Sequence, residues 1–114
     1  MRPVLHGDVV AAARALYQVE AGVRADALED LFQRAAWADD FRKRTGRVHP
    51  VWGDGSLMAV ALGRDTPPEP LSSDSAYCDC LAMVFEGLVA WRRDPSRRTR
   101  KTHMSEPSDQ ARAA

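Results

Sequence analysis

The sequence predicts an all-α fold: a small bundle of about four helices over residues 1–93, followed by a basic tail, read as disordered, at 94–114. Three observations carry the expectation. Apolar residues recur at helical spacing in several stretches. Aliphatic packing falls to Leu, Val and Ala, with no Ile in the chain, which leaves few of the β-branched residues that sheets favour. Gly22, Gly46, Gly63 and the prolines at 67, 68 and 70 punctuate those stretches.

The first helix is expected from Asp8 to about Ala21. Val9, Ala13, Leu16 and Tyr17 share one face, Asp8 is placed to cap the first turn, and Gly22 follows as the stop. The second is expected from about Ala25 to Thr45, with Leu28, Leu31, Phe32 and Ala35 in one stripe and Asp26, Glu29 and Asp30 near its positive end. Gly46 is its C-cap. Trp37 and Phe41 fall on the side opposite that stripe, so this helix is either central or half of an interface. Ser56 opens a short apolar helix, expected to be buried, that runs to Gly63. The prolines at 67, 68 and 70 then make a semi-rigid connector. Asp74 or Ser75 caps the last helix, on which Tyr77, Leu81, Val84, Leu88 and Trp91 repeat on one face with Phe85 beside them. Asp94-Pro95 ends it.

A length of 114 residues, 45% hydrophobic and 28% charged, fits one globular domain and excludes a multi-domain protein. Sixteen basic and sixteen acidic residues cancel, so no whole-molecule field points to nucleic acid or to an anionic membrane. The charge is nonetheless partitioned, at −4 over residues 1–91 and +4 over 92–114. Only Lys43 and Lys101 among the basic residues are Lys, a skew that a GC-rich genome produces without selection on function. Neither a secretory h-region nor a transmembrane stretch is expected, which places the protein in the cytoplasm with no membrane partner. Cys78 and Cys80, two apart, project to different sides of a helix and read as reduced thiols; no zinc pattern surrounds them.

Three constellations invite a functional reading. The first is Arg42 to Met58, where a basic helix end runs into a Gly-containing loop and a new helix. An anion site there would use Arg44, Arg47, His49 and Ser56, with Asp54 beside them. The competing reading is structural: Asp54 or Ser56 caps the new helix, and the cations offset the negative end of their own helix. The second is Arg92, Arg93, Arg97, Arg98, Arg100 and Lys101, a basic run suited to salt-sensitive contact with a nucleic-acid backbone. The third is the pair Trp37 and Phe41, with Trp52 in the loop, which require cover by a partner or by the 48–58 segment. No P-loop, nucleophile elbow or H-E-x-x-H pattern occurs, so no catalytic residue, metal or cofactor is expected.

The run R-K-R-T-G-R-V-H-P-V-W-G-D-G-S-L-M at 42–58 and the opening Arg2 to Asp8 resemble short alphaproteobacterial proteins grouped as a domain of unknown function. The resemblance covers about residues 2–91 and implies a small bacterial cytosolic domain, without carrying over any catalytic residue. The leading expectation is a protein-interaction or adaptor domain without catalysis, acting on a protein partner or as a homo-oligomer. The alternatives are a nucleic-acid accessory, regulatory or packaging factor using the tail, and an anion-binding or enzymatic site at the 44–56 loop.

Overall fold

The alanine-rich run after Gly7 forms the centre of the molecule. In the computed structural model, which describes residues 1–63 and 66–94, it is helix α1 (His6–Tyr17), with Val9, Ala11, Ala12, Ala13, Ala15 and Leu16 all buried. A helix apolar on nearly every side must be surrounded, and short alanine side chains let neighbouring helices approach closely. Helices α2 (Arg24–Thr45), α3 (Leu57–Leu62) and α4 (Ser75–Arg93) all pack on α1. The central position thus belongs to the first helix, whereas the sequence singled out the second as a candidate for it.

Helix α1 begins two residues before Asp8 and stops at Tyr17, short of Ala21. Its early end has a specific cause. The Arg24 guanidinium folds back to donate from Nε to the carbonyls of Leu16 and Val19, both at 2.9 Å, and from a terminal nitrogen to that of Tyr17 at 3.2 Å. A cation is well placed on carbonyls at the negative end of a helix. Gly22 then lies within a 3-10 turn, Ala21–Val23, that leads into α2 instead of acting as the stop.

Helix α2 buries Leu28, Leu31, Phe32 and Ala35, as their spacing predicts, and closes at Gly46 in the left-handed region with φ 73°. Helix α3 is capped by Ser56, whose hydroxyl accepts from the Ala59 amide at 3.1 Å. It buries Leu57, Val60 and Ala61 and leaves Met58 and Leu62 exposed, so it is buried on one side only. Helix α4 is capped by Asp74, which accepts from the Tyr77 amide at 3.2 Å.

Tyr77, Cys80, Val84 and Leu88 of α4 are buried, and Trp91 meets Phe32 edge-on at 5.4 Å. The absence of a side chain at Gly87 lets Leu28 and Phe32 close on this helix: a Cβ there would lie 2.7 Å from Leu28 Cδ2. Phe85, which the spacing puts beside the face of Tyr77, Val84 and Leu88, is 50% exposed. The proline connector is tied at two points, by Arg14 Nε donating to the Pro67 carbonyl at 2.8 Å and by the Tyr77 hydroxyl donating to Glu69 at 3.0 Å. The described residues hold no strand, only an isolated antiparallel bridge between His49 and Gly53. The expected tail, beyond Asp94, lies outside the described residues, as do Arg97, Arg98, Arg100 and Lys101.

Candidate functional site

The loop between α2 and α3 is built around His49, which is 1% exposed. Its Nδ1 accepts from the amides of Val51 at 3.1 Å and Trp52 at 3.0 Å, which assigns the ring proton to Nε2 in the neutral form. Backbone bonds from His49 N–H to the Gly53 carbonyl, 2.9 Å, and from Gly53 N–H to the His49 carbonyl, 3.1 Å, close the loop into a tight turn. The imidazole stacks on Trp52 at 5.0 Å and takes the Phe41 ring edge-on at 5.0 Å. Trp52 in turn lies 6.2 Å from Trp37, and the Arg34 guanidinium sits 5.2 Å from the Trp52 ring centre.

The three aromatic residues singled out in the sequence are therefore brought together with His49. Trp37 is buried, and Phe41 and Trp52 are half-buried. The cover that Trp37 and Phe41 require comes from the chain's own loop, one of the two covers foreseen. The Trp37 indole N–H finds no hydrogen-bond partner among the described residues.

Glycines and carboxylates hold the far side of the loop. Gly55, at φ 94°, passes so close to α2 that a Cβ would stand 2.6 Å from the Asp39 Cα. Asp39 is itself 2% exposed and meets Lys43 at 3.1 Å, Arg42 at 3.3 Å and the Met1 ammonium at 3.7 Å. Burial pushes its carboxyl up, but Lys43, the ammonium and Arg42 outweigh burial and hold it below the ordinary carboxylate range. Arg2 fastens the N-terminal segment to the same loop, through its amide to the Gly55 carbonyl at 2.8 Å and its guanidinium to Asp54 at 2.9 Å.

The residues of the anticipated anion site are dispersed. Arg44 and Arg47 are exposed, and Arg44 bonds Asp40 one turn back at 3.0 Å. His49 is inside the loop. Ser56 caps α3, its own amide donates to Asp54 at 3.0 Å, and the Met58 amide donates to Asp8 at 2.9 Å. The chain's own oxygens thus occupy amides that an anion would use. Arg92 and Arg93, the described part of the basic run, are exposed at the end of α4. Among the described residues no group of three or more His, Cys, Asp or Glu side chains is gathered to hold a metal ion, and no helix is long and apolar enough to cross a membrane.

Sequence reasoning missed Arg24, which closes α1, and the reach of Asp8 to α3. Asp8 carries a partial signal, a carboxylate at the third position of a helix. Its contact with Met58, fifty residues away, leaves none.

Fold and loop together define a small all-α domain with a tightly packed α2–α3 turn. The chain belongs to the family described as a domain of unknown function (DUF7742), which matches residues 2–88. No curated protein and no solved structure matches it.

Proposed function

We propose that the chain is a cytoplasmic protein-interaction domain without catalysis, which docks an acidic, apolar-containing segment of another protein on the tip of the 47–52 loop. One observation carries the reading: Val48 and Val51 stand 60% and 56% exposed on a loop that His49 holds rigid from below. Apolar side chains on a pre-shaped turn lose little conformational entropy on binding, which is the advantage of a preorganised site. In this reading Trp37, Phe41 and Trp52 are the footing of the site and do not touch the partner.

Charge selects the partner's chemistry. Arg2, Arg42, Lys43, Arg44 and Arg47 outnumber Asp39, Asp40 and Asp54 around the loop, so an acidic segment is favoured and a basic one repelled. The cytoplasmic placement is supported by the two free cysteines, exposed Cys78 and buried Cys80.

The test is selection of phage-displayed random peptides on the full chain, followed by titration of the enriched peptides. Enrichment of Asp- or Glu-rich peptides bearing a Leu or Phe, with binding weakened about tenfold or more by Val48→Ser with Val51→Ser and by Arg44→Glu with Arg47→Glu, supports the reading. Both sets of changes are at exposed side chains and should leave the melting temperature within a few degrees. No enrichment, or peptides that bind the variants as well as the wild type, overturns it.

A further inference from the structure

A second apolar stripe runs along α4, distinct from the one that packs on α1. Cys78, Ala82, Phe85 and Val89 recur at i, i+4, i+7 and i+11 and are all exposed, Phe85 by 50% and Val89 by 47%. At about 100° per residue this row lies roughly a quarter-turn around the helix from Tyr77, Val84 and Leu88. An amphipathic helix needs one apolar face for its own core; α4 has two.

We infer that this outer face packs against α4 of a second copy of the chain, with the two helices antiparallel. Charge selects that occupant. The stripe ends in Arg92 and Arg93 at its C-terminal end; Asp79 flanks it near its N-terminal end, beyond which lies the helix cap Asp74, and Glu86 lies beside it midway. Antiparallel pairing sets the basic end of each helix against the acidic end of the other, twice by symmetry, while parallel pairing opposes like charges. Size agrees with charge. In the antiparallel register that brings Ala82 opposite Phe85 of the second copy, Cys78 falls opposite its Val89, so each large side chain meets a small one. Opposed helix directions also bring the positive end of one helix dipole near the negative end of the other. The contact does not involve the 47–52 loop, so its outcome is independent of the proposed peptide site.

A single helix pair is a small interface, and self-association is expected between about 1 and 100 µM. Sedimentation velocity of the full chain over that range should show the sedimentation coefficient rising with concentration. Phe85→Glu should weaken association about tenfold or more without lowering the melting temperature, because the ring is outside the core. Orientation is read separately by Val89→Cys oxidised with copper–phenanthroline. The antiparallel pair predicts a covalent dimer between the introduced thiol and Cys78 of the second copy, abolished by adding Cys78→Ser. Cys78 and position 89 of one chain, three turns apart on one helix, are too distant to bond to each other. A chain that stays monomeric throughout with no cross-link overturns the inference. So does a cross-link formed by the wild type through Cys78 alone, which would report parallel helices.

Discussion

The carboxylate of Asp8 accepts the backbone N–H of Met58 at 2.9 Å with one oxygen, and with the other it accepts that of Leu5 at 2.8 Å. One buried side chain thereby caps the helix that contains it and a second helix fifty residues later, and fixes the angle at which α3 meets α1. Removing it leaves two backbone donors without their acceptor near the start of both helices. Asp8→Ala should cost about 2–4 kcal/mol, the sum of a lost cap and a second buried amide left unpaired. Asp8→Asn, which keeps one carbonyl oxygen, should recover part of that. Urea denaturation followed by circular dichroism reads both, and a loss below about 1 kcal/mol for the alanine variant would show that α3 does not depend on this bond.

Two glycines of the α2–α3 segment separate backbone strain from crowding. Gly46 has φ 73° with open space where a Cβ would go, while Gly55 has φ 94° and the Asp39 backbone within 2.6 Å of that point. Gly46→Ala meets only the left-handed penalty, about 1 kcal/mol. Gly55→Ala meets that penalty and a collision with α2, and should lose at least about 3 kcal/mol with the loop displaced. Thermal melts of the two variants side by side should rank them in that order. Equal losses would mean that α2 yields to the added methyl.

The helices were legible because their signals are local. The leucine stripe of α2 and the stop at Gly46 depend on residues within a few positions of one another and are found as read, and the caps Ser56 and Asp74 are each one of the two nearby residues foreseen for the place. The end of α1 was not legible, since Arg24 closes it across an intervening 3-10 turn and nothing near Tyr17 announces that. The loop was half legible. Trp37 and Phe41 visibly needed cover, but whether Trp52 and His49 or another chain provides it depends on how the turn folds back, which spacing does not specify. Spacing leaves centrality open for α2, as either central or half of an interface: α2 has the larger side chains, yet the alanines of α1 make it the helix that neighbours can surround.

Acid and alkali should act through different groups, and the alkaline limb has a direct optical readout because Tyr17 and Tyr77 are the two tyrosines of the chain. Burial and the hydrogen bond to Glu69 push Tyr77 up to about 12, and the hydrogen bond to Asp74, with burial, raises Tyr17. The fold favours the neutral phenols, so their contribution is whole below the unfolded value near 10.0; that of Tyr77 is lost as pH climbs through about 12, and that of Tyr17 is lost above the ordinary phenol value. Absorbance at 295 nm should show tyrosine ionisation delayed relative to a free tyrosine amide and accompanied by loss of helix. Glu69→Gln should bring the Tyr77 transition down only part of the way, since burial is the larger cause. Two tyrosines titrating near 10 in a chain that stays folded would contradict the assignment.

Trp37 offers a test of what the aromatic footing contributes. Its ring fills space against Trp52, 6.2 Å away, but its N–H is buried without a hydrogen-bond partner among the described residues. The two features act in opposite directions: ring burial stabilises, and a stranded donor destabilises. Trp37→Ala removes both and leaves a cavity, so it should cost about 3–5 kcal/mol. Trp37→Phe keeps an aromatic surface and discards the stranded N–H, and should fall within about 1 kcal/mol of the wild type despite the smaller ring. Circular dichroism at 222 nm is the suitable probe, because fluorescence is altered by the substitution itself. If the phenylalanine variant loses as much as the alanine one, the indole N–H is engaged in solution, for example by a water, and the balance of the two features lies elsewhere.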